Sequence, residues 1–208
     1  MSPLFIMIES VGILAFSLSG ALSAARKDMD IFGFAVLALM PAVGGGTLRD
    51  LVLDVPVFWV EDTRPIWITG VGVLAVYFGE NFLNSRRKVI VWADAVGLAL
   101  FAVAGAQKAY LETGDPLISV MMGVATAVAG GIIRDIIANE IPLILQQEVY
   151  ATAAFCGAFV YMALTLAGFD FIWLQDLALP QDLWSGPWPS GLDGVCQNER
   201  PVAQTLES

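Results

Sequence analysis

One short phrase is written twice in this chain, each time inside strongly apolar sequence. The first copy is Gly44-Gly45-Gly46-Thr47-Leu48-Arg49-Asp50. The second, 85 residues later, is Ala129-Gly130-Gly131-Ile132-Ile133-Arg134-Asp135. The same shift lays Glu9 over Asp94, Gly12 over Gly97, Gly20 over Gly105 and Asp30 over Asp115, and the register runs without a gap for about 40 residues. Shared apolar composition accounts for matched Ala, Val and Leu. It does not account for glycines, an arginine and carboxylates at a single offset, so the chain reads as a duplication.

The surrounding sequence is that of an integral membrane protein. Mean hydropathy is +0.73, and 14% of residues are charged, against about 25% in soluble domains. Apolar blocks at 4–25, 31–53, 66–82, 89–110, 117–138 and about 150–167 approach the roughly 20 residues that span a bilayer as a helix. They predict an all-α membrane protein with two three-helix repeats, 4–83 and 89–168, and a tail at 169–208. An odd number of spans per repeat makes the second repeat enter from the opposite side, which is an inverted-topology arrangement. Arg26 and Lys27 follow the first block, and Arg86, Arg87 and Lys88 follow the third. The intervening connections hold Glu61, Asp62 and Arg64, or Glu112 and Asp115. The positive-inside rule therefore predicts an N-terminus outside. Ala21-Leu22-Ser23 faintly resembles a signal-cleavage site, but no basic segment precedes it and Glu9 interrupts the run, so the first block is expected to remain as a helix. In the tail, tryptophans and prolines break up the apolar sequence, and no seventh span is evident.

Several function classes drop out. There is no histidine, which removes His-based catalysis, proton relays and metal ligands. Cys156 and Cys196 form no disulfide framework or metal spacing. The net charge of −10 argues against nucleic acid. No nucleophile–base pair, metal set or cofactor pattern points to an enzyme.

The remaining candidates are the repeated residues. Gly44, Gly45, Gly46, Gly130 and Gly131, with Pro41 just before the first run, suggest two broken helices whose free backbone groups line a watery path. Close helix packing is the plainer alternative. Arg49, Asp50, Arg134 and Asp135 each cost about 2.5–3.5 kcal/mol at a lipid-facing helix centre, so they are expected inside. Neighbours i and i+1 do not face each other on a helix. The expected partners are therefore across the duplication: Arg49 with Asp135 or Asp94, and Arg134 with Asp50 or Glu9. Glu9 and Asp94 are acidic groups suited to attract cations, or solvated helix ends. Lys108 is expected to snorkel to the interface, with a gate or a lipid-headgroup contact as the alternative.

With Ala104-Gly105-Ala106-Gln107-Lys108-Ala109 on the fourth block, the paired glycine–arginine–aspartate motifs resemble the prokaryotic trimeric intracellular cation (TRIC) channel family over residues 5–168. The resemblance implies homotrimers in a lipid bilayer, with a bound lipid as a further partner. It implies one K+- or Na+-conducting pore per protomer between the first, second, fourth and fifth helices, and no cofactor. It also implies a seventh helix and links the domain to glycine transport. The reading is a K+/Na+ channel, with a carrier of a small zwitterion such as glycine as the alternative.

Overall fold

A computed structural model describes residues 3–79, 86–146 and 148–168, with no strand among them. The helices are α1 (Pro3–Arg26), α2 (Ile31–Val52), α3 (Phe58–Glu61), α4 (Arg64–Gly79), α5 (Arg86–Thr113), α6 (Pro116–Ile137), α7 (Leu143–Gln146) and α8 (Glu148–Leu166). The tail and the expected seventh helix lie outside the described residues.

The duplication is deeper than the sequence match. The bounds of α2 and α3 recur 85 residues on as those of α6 and α7. Asp30 and Asp115 cap the two long helices with their side chains. Both helices end in a left-handed residue, Asp54 at φ 55° and Asn139 at φ 53°, the residue types that tolerate this geometry best after glycine. Each end closes as a Schellman motif, with Val55 N–H donating to the Asp50 carbonyl at 3.0 Å and Glu140 N–H to that of Asp135 at 2.8 Å.

Packing follows the same symmetry. α1, α2, α5 and α6 form the central bundle, α4 packs on α1 and α2, and α8 packs on α5 and α6. Phe16 and Phe101, 85 residues apart, meet with ring centroids 5.3 Å apart. A Cβ on Gly12 would lie 3.0 Å from the Phe101 ring, and one on Gly97 would lie 2.9 Å from Phe16. α2 and α6 cross reciprocally too. A Cβ on Gly45 would sit 2.1 Å from the Thr126 carbonyl oxygen, and one on Gly130 would sit 2.7 Å from that of Pro41. These reciprocal contacts are what a pseudo-twofold axis between antiparallel copies produces.

The expected helix breaks do not occur. α2 runs unbroken through Pro41 and Gly44–Gly46, and α6 runs unbroken through Gly130 and Gly131. The glycines let two backbones touch, as small residues do in membrane bundles. The carbonyl that Pro41 leaves without its helical donor is that of Leu37, and Gly20 of α1 packs directly against it.

Among the described residues, four helices are long and apolar enough to cross a membrane: Phe5–Arg26, Ile31–Val52, Val89–Thr113 and Pro116–Ile137. α4, described over Arg64–Gly79, corresponds to the predicted span 66–82, whose last residues lie outside the described ones. Large apolar side chains such as Trp67, Phe78 and Trp92 are exposed on the outside, where lipid accounts for them.

Gly45→Ala should therefore destabilise the protein by about 1–3 kcal/mol or more, because the clash is with backbone. Gly70→Ala, where an added Cβ meets nothing within 4 Å, should leave stability unchanged or raise it by up to about 1 kcal/mol. Thermal unfolding of the two variants in detergent checks the contrast.

Candidate functional site

Each Arg-Asp pair lies one helical turn beyond its glycine crossing, about 6 Å along the axis. Because α2 and α6 run antiparallel, the pairs point to opposite ends of the bundle. This makes two buried charge clusters rather than one.

At the first end, Arg49 and Asp50 are fully buried. Arg49 Nε donates to Asp50 Oδ1 at 2.8 Å, and Arg49 Nη2 lies 3.8 Å from Glu9 Oε1. Asp50 Oδ1 also meets Lys108 Nζ at 2.8 Å. Its other oxygen, Oδ2, accepts the Phe58 N–H at 2.9 Å, which fixes the start of α3. The Phe58 ring covers the Arg49 guanidinium, 5.7 Å from centroid to Cζ, close enough for a cation–π contact.

The second end repeats the pattern. Arg134 Nε donates to Asp135 Oδ1 at 2.8 Å. Arg134 Nη1 meets both Asp94 and Ser19. Asp135 Oδ2 accepts the Leu143 N–H at 2.8 Å, which starts α7. Arg134, Asp94 and Asp135 are all buried.

Three expectations are corrected here. Each arginine pairs with its own neighbouring aspartate and with the acid of its own repeat, not across the duplication. The i, i+1 rule describes side chains standing out from a helix. Here the Asp is drawn back by the backbone N–H of the following short helix, and the long Arg side chain folds across to meet it. Cross pairs such as Arg134 with Asp50 are barred because the motifs point away from each other. Lys108 does not snorkel outward, being 8% exposed and bound to Asp50. Nor are Glu9 and Asp94 simply solvated helix ends. Asp94 is fully buried, and the Glu9 side chain is 11% exposed.

The clusters are not equivalent. Each receives one polar side chain from the other repeat: Lys108 enters the first, and Ser19 enters the second. Their counterparts at the 85-residue shift are Ser23 and Ala104. The first cluster is formally neutral (Glu9, Asp50, Arg49, Lys108), whereas the second (Asp94, Asp135, Arg134) has one negative charge in excess. Among the described residues, Glu9 Oε1, Arg49 Nη1 and Nη2, and Asp94 Oδ2 are buried without a hydrogen-bond partner.

A cavity opens toward each cluster. Glu9, Ser10, Phe58, Glu61, Asp62 and Arg64 help line one of about 90 Å³ at the first end. Ser23, Arg26, Arg134, Asp135 and Glu140 help line one of about 310 Å³ at the second. At that second end Glu140 holds Arg26 and Lys27, each at 3.3 Å.

Sequence reasoning missed Ser19, Ser23 and the aspartate caps on Phe58 and Leu143. Asp54 over Asn139 was a usable signal, since it extends the 85-residue register past the motif to the short helices.

The sequence model described as "Glycine transporter" matches residues 6–81 and 91–165. A Vibrio cholerae membrane protein is 40% identical over 81% of this chain and 72% of its own length. The inner membrane protein YadS of Escherichia coli K12 is 44% identical over 74% of this chain and 75% of its own. Among solved structures, a TRIC trimeric intracellular cation channel orthologue from Rhodobacter sphaeroides superposes with a TM-score of 0.77. It has 44% identity and covers 84% of this chain and 90% of that one. A prokaryotic TRIC channel solved in 0.5 M KCl also gives 0.77, at 31% identity over 82% and 88%.

Removing one member of a well-formed buried pair costs about 3–5 kcal/mol. Asp94→Asn should therefore destabilise the protein by about that amount. Glu9→Gln, at a 3.8 Å contact without a hydrogen bond, should cost less than that. Unfolding midpoints in detergent compare the two.

Proposed function

The chain belongs to the TRIC channel family, whose sequence model is described as glycine transporter, and from that membership we propose that it conducts monovalent cations, K+ or Na+. Family and fold are those of membrane channels rather than enzymes. The observation that carries the reading is a pair of buried charge clusters, one at each end of the central bundle, each approached by a cavity. Buried charge of this kind in a membrane bundle marks an ion pathway by default. In this reading the path runs between α1, α2, α5 and α6. The glycines of the α2–α6 crossing form its waist, and Arg49 and Arg134, neutralised by their carboxylates, set its field.

The assembly we infer is a homotrimer in a bacterial inner membrane, after the trimeric description of the Rhodobacter sphaeroides relative and the inner-membrane description of the Escherichia coli one. In this reading the positive-inside rule, applied to Arg26 and Lys27, supports a second end facing the cytoplasm and an N-terminus outside. One observation favours a second reading. Arg49 Nη1 and Nη2 are buried without hydrogen bonds, and Nη2 lies 3.8 Å from Glu9 Oε1, an arrangement that suits the two ends of a small zwitterion. With the family's description, that supports a glycine carrier.

Reconstitution in planar bilayers separates the two. Unitary K+ currents support the channel. Saturable glycine flux without unitary currents contradicts it. Arg49→Ala and Arg134→Ala should change conduction at least about tenfold, as a shift of about 1.4 kcal/mol would, while trimers still form by crosslinking.

A further inference from the structure

The short helices that close the two ends of the bundle are fastened differently. At the first end, α3 is held by more than its Asp50 cap. The Phe58 ring covers the Arg49 guanidinium and lies so near Gly46 that an added Cβ there would sit 2.5 Å from it. Trp59 Nε1 donates to Thr47 Oγ1 at 2.9 Å. At the 85-residue shift Phe58, Trp59 and Thr47 become Leu143, Ile144 and Ile132. Those side chains supply neither a ring over an arginine nor a hydrogen bond. A Cβ on Gly131, the counterpart of Gly46, would meet only the Asp94 carboxylate, at 3.6 Å. α7 keeps the cap of Asp135 on the Leu143 N–H. Just before it stands an ion bridge that the first end lacks: Glu140 Oε1 lies 3.3 Å from both Arg26 Nη2 and Lys27 Nζ. The corresponding positions at the first end are Val55, Leu111 and Glu112, which form no such bridge.

We propose that the turn from Glu140 into α7 is a lid over the second cavity, latched to the end of α1 by the Glu140 bridge, whereas α3 is a fixed cap at the first end. Both halves of the latch, Arg26 and Glu140, line the cavity of about 310 Å³, with Ile141 and Leu143 of the lid and with Arg134 and Asp135 of the buried cluster. The latch joins segments 114 residues apart, so releasing it frees the turn from α1. Its side chains are about a third exposed, and exposed ion pairs are weak and screened by salt. The pairs of the cluster beneath are buried and screened much less. The left-handed Asn139, between the end of α6 and Glu140, is a hinge of the kind that sits at element ends. The Leu143 N–H bond to Asp135 is the pivot on the far side. Under the channel reading, on which its role as a gate rests, the lid controls access to Arg134 and Asp135 from the second end.

Access to the cavity reads the lid without any conduction. In a Cys156→Ser, Cys196→Ser background, Ser23→Cys places a thiol in the second cavity and Ser10→Cys places one in the first. The whole protein in detergent is labelled with an uncharged maleimide, whose own reactivity salt does not steer. Raising salt from about 0.15 M to 1 M shortens the screening length from about 8 Å to about 3 Å. That change should speed labelling of Ser23→Cys about two- to fivefold, the worth of an exposed pair. Glu140→Gln should give the same acceleration at low salt and remove most of the further effect of high salt. Ser10→Cys should be indifferent to both, because the exposed pair at its cavity, Arg64 with Asp62, joins residues only two apart. Ser23→Cys labelling that ignores salt and Glu140→Gln overturns the lid, and so does equal acceleration at Ser10→Cys. If Ser23→Cys fails to elute as folded protein, Val91→Cys on α5, which lines the same cavity, decides by the same outcomes. A protein that conducts K+ without latch-dependent labelling loses the lid and keeps the channel. One that shows the labelling pattern yet passes no current keeps the lid and loses the channel.

Discussion

The backbone contact between α2 and α6 is the constraint from which the rest of the molecule follows. It exists only because Gly45 and Gly130 lack a Cβ, each facing a carbonyl oxygen of the other helix. In lipid there is little hydrophobic force between helices, so association depends on close van der Waals approach. That approach fixes the axis relating the two repeats. It also sets how far beyond the crossing each Arg-Asp pair lies, and in which direction. Phe16 against Phe101, each over the other's partner glycine, is the second contact on the same axis.

The charges then become tolerable for a local reason. Two arginines buried in a membrane bundle need carboxylates and need those carboxylates held still. The chain provides both within a few residues. The helix ends in a Schellman turn, the following short helix presents an N–H, and the aspartate accepts it while facing the arginine. The scheme is used twice, but the neighbours that complete it differ. A lysine completes one cluster and a serine contributes to the other, so a symmetric scaffold has electrically unequal ends.

Much of this was legible in the residues. The offset of 85, the membrane class and the inverted arrangement follow from Gly, Arg, Asp and the acid on the first and fourth blocks recurring together. The glycine runs misled because glycine has two physical uses, unwinding a backbone and letting backbones touch. One-dimensional sequence does not say which, and Gly45 against the Thr126 carbonyl decides for the second. The pairing of Arg49 and Arg134 was misjudged because the rule for helix neighbours omits what an adjacent loop does to the shorter partner. The Phe58 and Leu143 amides, eight residues past their aspartates, turn those carboxylates into place. The Lys108–Asp50 contact depends on where α5 passes α2, which only tertiary packing reveals.

The central claim is that one scaffold, repeated upside down, presents its two charge clusters to opposite sides of the membrane. In a Cys156→Ser, Cys196→Ser background, single cysteines at Glu61→Cys and Glu140→Cys can be probed with a membrane-impermeant thiol reagent on right-side-out and inside-out vesicles. The account predicts that Glu61→Cys reacts from one side only and Glu140→Cys only from the other, with Glu140→Cys facing the cytoplasm. Labelling of both positions from the same side would contradict the inverted repeat and, with it, the arrangement of the two clusters.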